Sequence, residues 1–122
     1  MRRGVLVVVA IVLAAGCMRP VEQEPWAICR KPLVEVRRAA FLAFERINID
    51  VKVDDTNYIE GMRPLRMKGM GIVGGETIRV WLEALEPERT RVRIQTVYGG
   101  NAQTDWTPAV FREMTIVLGE WE

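Results

Sequence analysis

Thr77-Ile78-Arg79-Val80-Trp81-Leu82-Glu83-Ala84-Leu85 is followed by Glu86-Pro87-Glu88-Arg89, and then by Thr90-Arg91-Val92-Arg93-Ile94-Gln95-Thr96-Val97. Apolar and polar residues alternate through both runs. Successive side chains of a strand point to opposite faces, so this period predicts two half-buried strands. Ile78, Val80 and Leu82 fall on one face, with Arg79, Trp81 and Glu83 on the other. Val92, Ile94 and Thr96 stand against Arg91, Arg93 and Gln95 in the same way. A short polar turn joins the runs, which makes them a hairpin. Its apolar face needs cover, while its charged face does not.

Outward from the hairpin, two helical stripes supply that cover. Pro32 to Arg46 opens on a proline, which suits a first helical position. Leu33, Val36, Ala40, Ala43, Phe44 and Ile47 recur at spacings of three and four. Near the C-terminus, Asp105 or Thr107 can cap a helix with Pro108 in its first turn. Val110, Phe111, Met114, Val117 and Leu118 form its stripe. Two further strands are expected before the hairpin. Asn48 to Asp55 alternates Ile49, Val51 and Val53 with Asp50, Lys52 and Asp54. Tyr58 to about Arg63 returns after the turn residues Asp54-Asp55-Thr56-Asn57. Met67 to Glu76 is punctuated by Gly69, Gly71, Gly74 and Gly75. It reads as a hairpin connection with Ile72 and Val73 tucked in. No Lys-Ser or Lys-Thr follows the glycines, so a P-loop is excluded. The expected fold is α+β: a two-layer sandwich in which a four-stranded antiparallel meander carries two helices on one face, in the order α-β-β-β-β-α. Ile49, Val51, Val53, Ile78, Val80, Leu82, Val92 and Ile94 should meet Val36, Ala40, Phe44, Phe111, Met114 and Leu118.

The other end of the chain carries an address. Arg2 and Arg3 precede an apolar run from Val5 to Ala15. As a helix that run is roughly 16 Å long, against a bilayer core of about 30 Å, so it is too short to span. A basic start, a short apolar run and small residues together describe a secretory signal. Leu13-Ala14-Ala15-Gly16-Cys17 resembles the lipobox of bacterial lipoprotein signals. The resemblance implies cleavage between Gly16 and Cys17, and lipidation of Cys17 by a diacylglyceryl thioether and an amide-linked acyl chain. Met18, rather than Asp, then implies sorting to the outer membrane of a diderm host, with the domain facing the periplasm. The expected organisation is a signal over 1–16, a lipidated cysteine and flexible tether over 17–30, and a single domain over 31–122.

Without the signal, 17 Lys and Arg fall to 15 against 16 Asp and Glu, so no basic face for nucleic acid is implied. The chain has no histidine. Ser-His, Cys-His and His-metal chemistry are therefore excluded. With Cys17 acylated, Cys29 has no partner within the chain. Either it packs as a small residue at the entrance to the domain, or it pairs with another molecule in an oxidising envelope.

Ala39-Ala40-Phe41-Leu42 before an aliphatic strand, Asp55 with Ile59-Glu60-Gly61, Thr90-Arg91-Val92-Arg93-Ile94, and Asp105-Trp106 before the last helix form a wider pattern. The mature chain thereby resembles a group of small bacterial lipoproteins, the DUF3568-like group. Its layout is also similar to the helix-grip domains of the outer-membrane assembly lipoprotein BamC. These resemblances imply a fold and no catalytic residue.

Three surfaces could carry function. The first is the open sheet face, where Arg79, Trp81, Arg91 and Arg93 could seat a partner, since Trp and Arg are enriched where proteins bind each other. The second is the polar loop holding Tyr98, Gly99, Gly100, Asn101 and Trp106. The third comprises the carboxylate pairs Asp54–Asp55 and Glu86–Glu88, which sit in expected exposed turns where their pKa values have no reason to split. The reading is a membrane-anchored, non-enzymatic envelope lipoprotein that binds or scaffolds a protein partner. It uses no cofactor and no metal. The alternative is a small-ligand binder using the glycine-rich loop or a pocket between sheet and helices.

Overall fold

Pro32 starts the first helix from an extended conformation, and its carbonyl accepts the amides of Glu35 and Val36 at 3.0 and 3.1 Å. In the computed structural model, which describes residues 26–69, 71–99 and 104–122, this helix is α1, Leu33–Ile47. It buries Val36, Ala39, Ala40, Ala43 and Phe44 along one stripe. Three alanines in that stripe keep the helix close to the sheet. Asn48 ends it in the left-handed conformation, φ 65°, where asparagine is tolerated.

The main sheet has five antiparallel strands: β1 (Ala27–Cys29), β2 (Asp50–Asp54), β3 (Tyr58–Met62), β6 (Thr77–Glu86) and β7 (Arg89–Val97), in the order β1-β7-β6-β3-β2. A separate ribbon pairs β4 (Arg66–Lys68) with β5 (Gly71–Val73). The second helix, α2 (Thr107–Leu118), packs beside α1. Ile59, Ile78, Val80, Val92 and Ile94 are fully buried beneath the two helices, together with Val110 and Met114. Each such side chain contributes about 1.5–3 kcal/mol through the water it sheds. The fold is therefore α+β with both helices on one sheet face.

Four expectations are corrected. The sheet is not a four-stranded meander, because Ala27–Cys29 adds a fifth strand. Ala27 pairs with Val92 and Cys29 with Thr90, so the last residues of the expected tether lie in the sheet. Next, β2 does not alternate cleanly. Val51 pairs with Gly61 but Val53 pairs with Glu60, leaving Lys52 as a bulge. A bulge inserts one residue and flips the following face. Val51 is thus exposed and Val53 half-buried, and of the three expected core residues in this strand Ile49 alone is buried. Phe111 is only partly buried, at the edge of the core against Trp121. Finally, Ile72 and Val73 are not tucked in. Every residue of β4 and β5 is exposed.

The strands run between two ends of the sheet. At one end, Met62, Thr77 and Val97 stand in register, and the β4–β5 arm leaves between β3 and β6. β1 runs antiparallel to β7 and so points away from this end, pairing with Thr90, Arg91 and Val92 in the half of β7 nearer the turn. At the other end lie the β6–β7 turn and the C-terminus. Here the Glu122 amide donates to the Ile28 carbonyl at 2.7 Å, and Trp121 bridges to Cys29. Arg89 grips the Glu122 carboxylate through three contacts of 3.0–3.2 Å.

Candidate functional site

Strand register builds the open face. Tyr58 lies opposite Trp81, and Trp81 opposite Arg93, so one row crosses β3, β6 and β7. Glu60, Arg79 and Gln95 form the next row. Glu83 and Arg91 form a third, with Ile28 of β1 beyond Arg91. All four arginine and tryptophan positions expected from the sequence, Arg79, Trp81, Arg91 and Arg93, lie on this face and are half-buried.

They are not equivalent, because their neighbours differ. Trp81 stacks obliquely on Tyr58, with ring centroids 5.5 Å apart at 48°. The Arg93 guanidinium lies 4.8 Å from the Trp81 ring centre. An arginine over an indole ring is held by the ring quadrupole. Arg91 is committed elsewhere: it donates twice to Glu83 at 2.6 and 2.8 Å, and covers the Trp26 ring at 4.4 Å. Arg79 approaches Glu60 at 3.4 Å. That approach lacks hydrogen-bond alignment, so the buried Arg79 Nε has no hydrogen-bond acceptor, and neither has Arg93 Nε. Tyr58 donates its hydroxyl to Glu60 at 2.5 Å. Burial, then the Glu60 carboxylate, pushes the phenol up to about 12. Tyr58 is therefore a neutral donor at any physiological pH. The result is an aromatic centre, Tyr58 and Trp81, flanked by two cations that each keep an unsatisfied donor.

Tyr58 and Glu60 are not among the site residues expected from the sequence. A signal existed for both, since Tyr58 and Glu60 alternate with Ile59 and Gly61 and so had to share a face. Trp26, at the end of the expected tether, reads from the sequence as packing back on the fold or touching the headgroups, and it packs back, under Arg91.

The second surface is assembled differently from the expectation. Gly100 and Asn101 lie outside the described residues. Trp106 packs under the Arg63 guanidinium, 4.1 Å from its ring centre. Asp105 Oδ1 accepts the Thr107 amide at 3.0 Å, but the N-cap of α2 is Trp106, without a side-chain cap hydrogen bond, and not Asp105 or Thr107 as expected. Thr96 and Thr107 share a hydroxyl hydrogen bond of 2.9 Å. These contacts bind the start of α2 to the sheet, while the buried Trp106 Nε1 and Arg63 Nε have no acceptor.

The carboxylate pairs are dispersed as well. Asp54 forms an ion pair with Arg37, and Asp55 stays exposed. Glu86 and Glu88 border an open polar depression with Arg30, Arg89 and Glu122. The Arg89 hydrogen bonds hold the Glu122 carboxyl below its ordinary range. Among the described residues, no three acidic or sulfur side chains gather as a metal would require. Cys29 is buried, and burial pushes its thiol up. A groove between α1 and β2 is lined by Phe41, Phe44, Glu45, Asn48 and Ile49. Gly16 and Cys17, the expected cleavage and lipidation positions, lie outside the described residues. Among the described residues no helix is long and apolar enough to cross a membrane. Neither the family models nor the curated proteins searched contain a match to this chain.

Proposed function

We propose that this protein is a lipid-anchored lipoprotein of the cell envelope whose domain binds a protein partner through the open sheet face. Acyl chains on Cys17 hold it in the outer membrane of a diderm host, facing the periplasm. The observation that carries the partner reading is the Tyr58–Trp81–Arg93 row. Half-exposed aromatics between arginines with free donors are the composition from which binding hot spots are made. The domain is non-enzymatic in this reading. The chain lacks histidine, and the carboxylates Glu60, Glu83 and Glu122 each lie against an arginine. A partner with an acidic or carbonyl-rich edge would pair with the half-exposed guanidinium groups of Arg79 and Arg93 while covering Trp81.

The small-ligand alternative has one observation in its favour, the groove beside Phe41. Phe44 and Ile49 in its lining are 0 % and 4 % exposed, so the apolar surface it offers a ligand comes mainly from Phe41 and the exposed Val51. The described strands of the glycine-rich segment, β4 and β5, are exposed throughout.

Trp81→Ala tests the reading. Loss of the Tyr58 and Arg93 ring contacts costs about 1–2 kcal/mol, within the stability of a small domain. The variant should therefore fold, as read by circular dichroism, and lose the envelope protein captured by in-cell crosslinking to the wild type. Equal capture by both proteins would refute the site. Cys17→Ser, followed by fractionation, tests the anchor separately: the variant should leave the membrane fraction unprocessed or soluble.

A further inference from the structure

The β4–β5 arm is poorly explained by the fold alone. A two-stranded ribbon with nothing packed on it is marginal in water. Here both strands are exposed along their whole length. Met67 lies opposite Ile72, and Arg66 opposite Val73, so the two faces differ. Met67 and Ile72 share one face and are 73 % and 46 % exposed. Leu65, 70 % exposed, leads into it. Arg66 and Lys68 share the other face with Val73. From 61 to 75 the sequence has three cations and no acid, in a chain of nearly balanced charge. Arg63, the third cation, is held at the base, donating to the Ile47 carbonyl and lying over Trp106. The base is stiff as well. The Arg63 amide donates to Glu76 and the Gly75 amide to Arg63, both at 2.9 Å. At Gly74, φ 99°, a Cβ would overlap the Pro64 carbonyl.

Direction adds a second argument. β1 runs away from the sheet end at which the arm leaves, and its first paired residue, Ala27, lies opposite Val92, five positions short of Val97. The nine-residue step from Cys17 to Trp26 reaches at most about 30 Å when extended. In the arm Arg66–Lys68 is strand, a rise of about 10 Å. Extended, the step from Cys17 to Trp26 exceeds the roughly 17 Å of strand between Val92 and Val97, so a bilayer holding Cys17 can meet the arm.

We propose that the β4–β5 arm is a membrane-contacting element: Leu65, Met67 and Ile72 enter the headgroup boundary of an anionic bilayer while Arg66 and Lys68 pair with lipid phosphates. Apolar side chains flanked by cations bind such surfaces by burial plus attraction, with long basic side chains reaching back to the phosphates. The direction of approach rests on the lipid-anchor reading, whereas the composition of the arm does not. Arm contact would orient the domain on the membrane instead of letting it swing on its tether.

The test uses the full chain isolated from membranes and reconstituted in vesicles. In a Cys29→Ala background, Ile72→Cys is labelled with an environment-sensitive fluorophore. Thr56→Cys, in the exposed β2–β3 turn at the opposite sheet end, is labelled as reference. In vesicles of phosphatidylglycerol and phosphatidylethanolamine, the label at 72 should shift to the blue and be quenched by spin-labelled acyl chains, while that at 56 stays aqueous. Arg66→Gln with Lys68→Gln should lower the inserted-to-aqueous ratio about thirty-fold. Phosphatidylcholine vesicles should lower it similarly. A label at 72 as aqueous as that at 56 would overturn the proposal. So would insertion indifferent to lipid charge, or shielding seen in intact cells but absent from anionic vesicles, which would assign the arm to a protein. Mass spectrometry of the same preparation reports acylation of Cys17, so failure of the anchor is distinguished from failure of the arm.

Discussion

Gly61→Ala should destabilise the domain even though alanine usually favours folding over glycine. Gly61 lies on the core face of β3 and its φ is outside the left-handed region, so backbone conformation does not demand glycine there. Space does. A Cβ would sit 2.5 Å from Ile49 Cγ2, 2.8 Å from Phe44 Cε2 and 3.0 Å from the Asp50 carbonyl oxygen. Ile49 is branched at Cβ and stiff about χ1, and Phe44 is fully buried, so neither can simply swing aside. Overpacking of this kind costs about 1–3 kcal/mol. Against it stands a gain of about 0.4–1 kcal/mol from restricting the unfolded chain. The net expectation is a loss of about 1–2 kcal/mol, read as a lower urea midpoint at unchanged m-value. Ile49→Ala removes the nearest atom. In a double-mutant cycle it should therefore recover part of the Gly61→Ala loss, with a coupling of about 0.5–3 kcal/mol. A Gly61→Ala protein as stable as its parent, or a cycle with no coupling, would refute the account of how α1 meets the sheet.

Two further outcomes are expected. Asn48→Val should lower the melting temperature by about 5–15 °C, because a β-branched residue resists the left-handed conformation by about 1–2 kcal/mol. Asn48→Gly should melt with the parent, since it keeps the C-cap geometry; equal melting of the valine variant would sink the argument. Tyr58 gives a pH dependence. Its phenol is raised to about 12 in the fold from an ordinary value near 10. In that window the unfolded chain has lost a proton the folded chain keeps, so stability falls as pH rises. The contribution is complete below about pH 10 and lost as pH passes through about 12. Ultraviolet titration of the phenolate should show a late step that Tyr58→Phe removes, and an unchanged titration would exclude the Glu60 contact.

The β6–β7 hairpin was legible because its strands keep one buried and one open face over seven and six residues, 77–83 and 89–94. Ile78, Val80 and Leu82 are buried where the period put them, and Arg79, Trp81 and Glu83 face away. The helices were legible for the same reason. What failed has physical causes. β1 is three residues long and pairs Ala27 with Val92, so nothing local marks it. The extra residue at Lys52 leaves the alternation of Val51 and Val53 looking regular while moving them to different faces. The β4–β5 ribbon lies against no core, so burial imposes no period on it. At the sheet face the period placed four residues correctly. It could not tell that Arg91 is taken by Glu83 and Trp26 while Arg93 turns to Trp81.

The lateral position of β1 has a mechanical consequence. A pull transmitted through the residues before Trp26 runs along the axis of β1, parallel to its neighbour. The positions paired with β7, Ala27, Ile28 and Cys29, then bear the load together instead of opening in succession. On the far side, the Glu122 amide bonded to Ile28 resists the same displacement. Drag on a captured partner would therefore be met by a lap joint, not a zipper, where the chain enters the sheet.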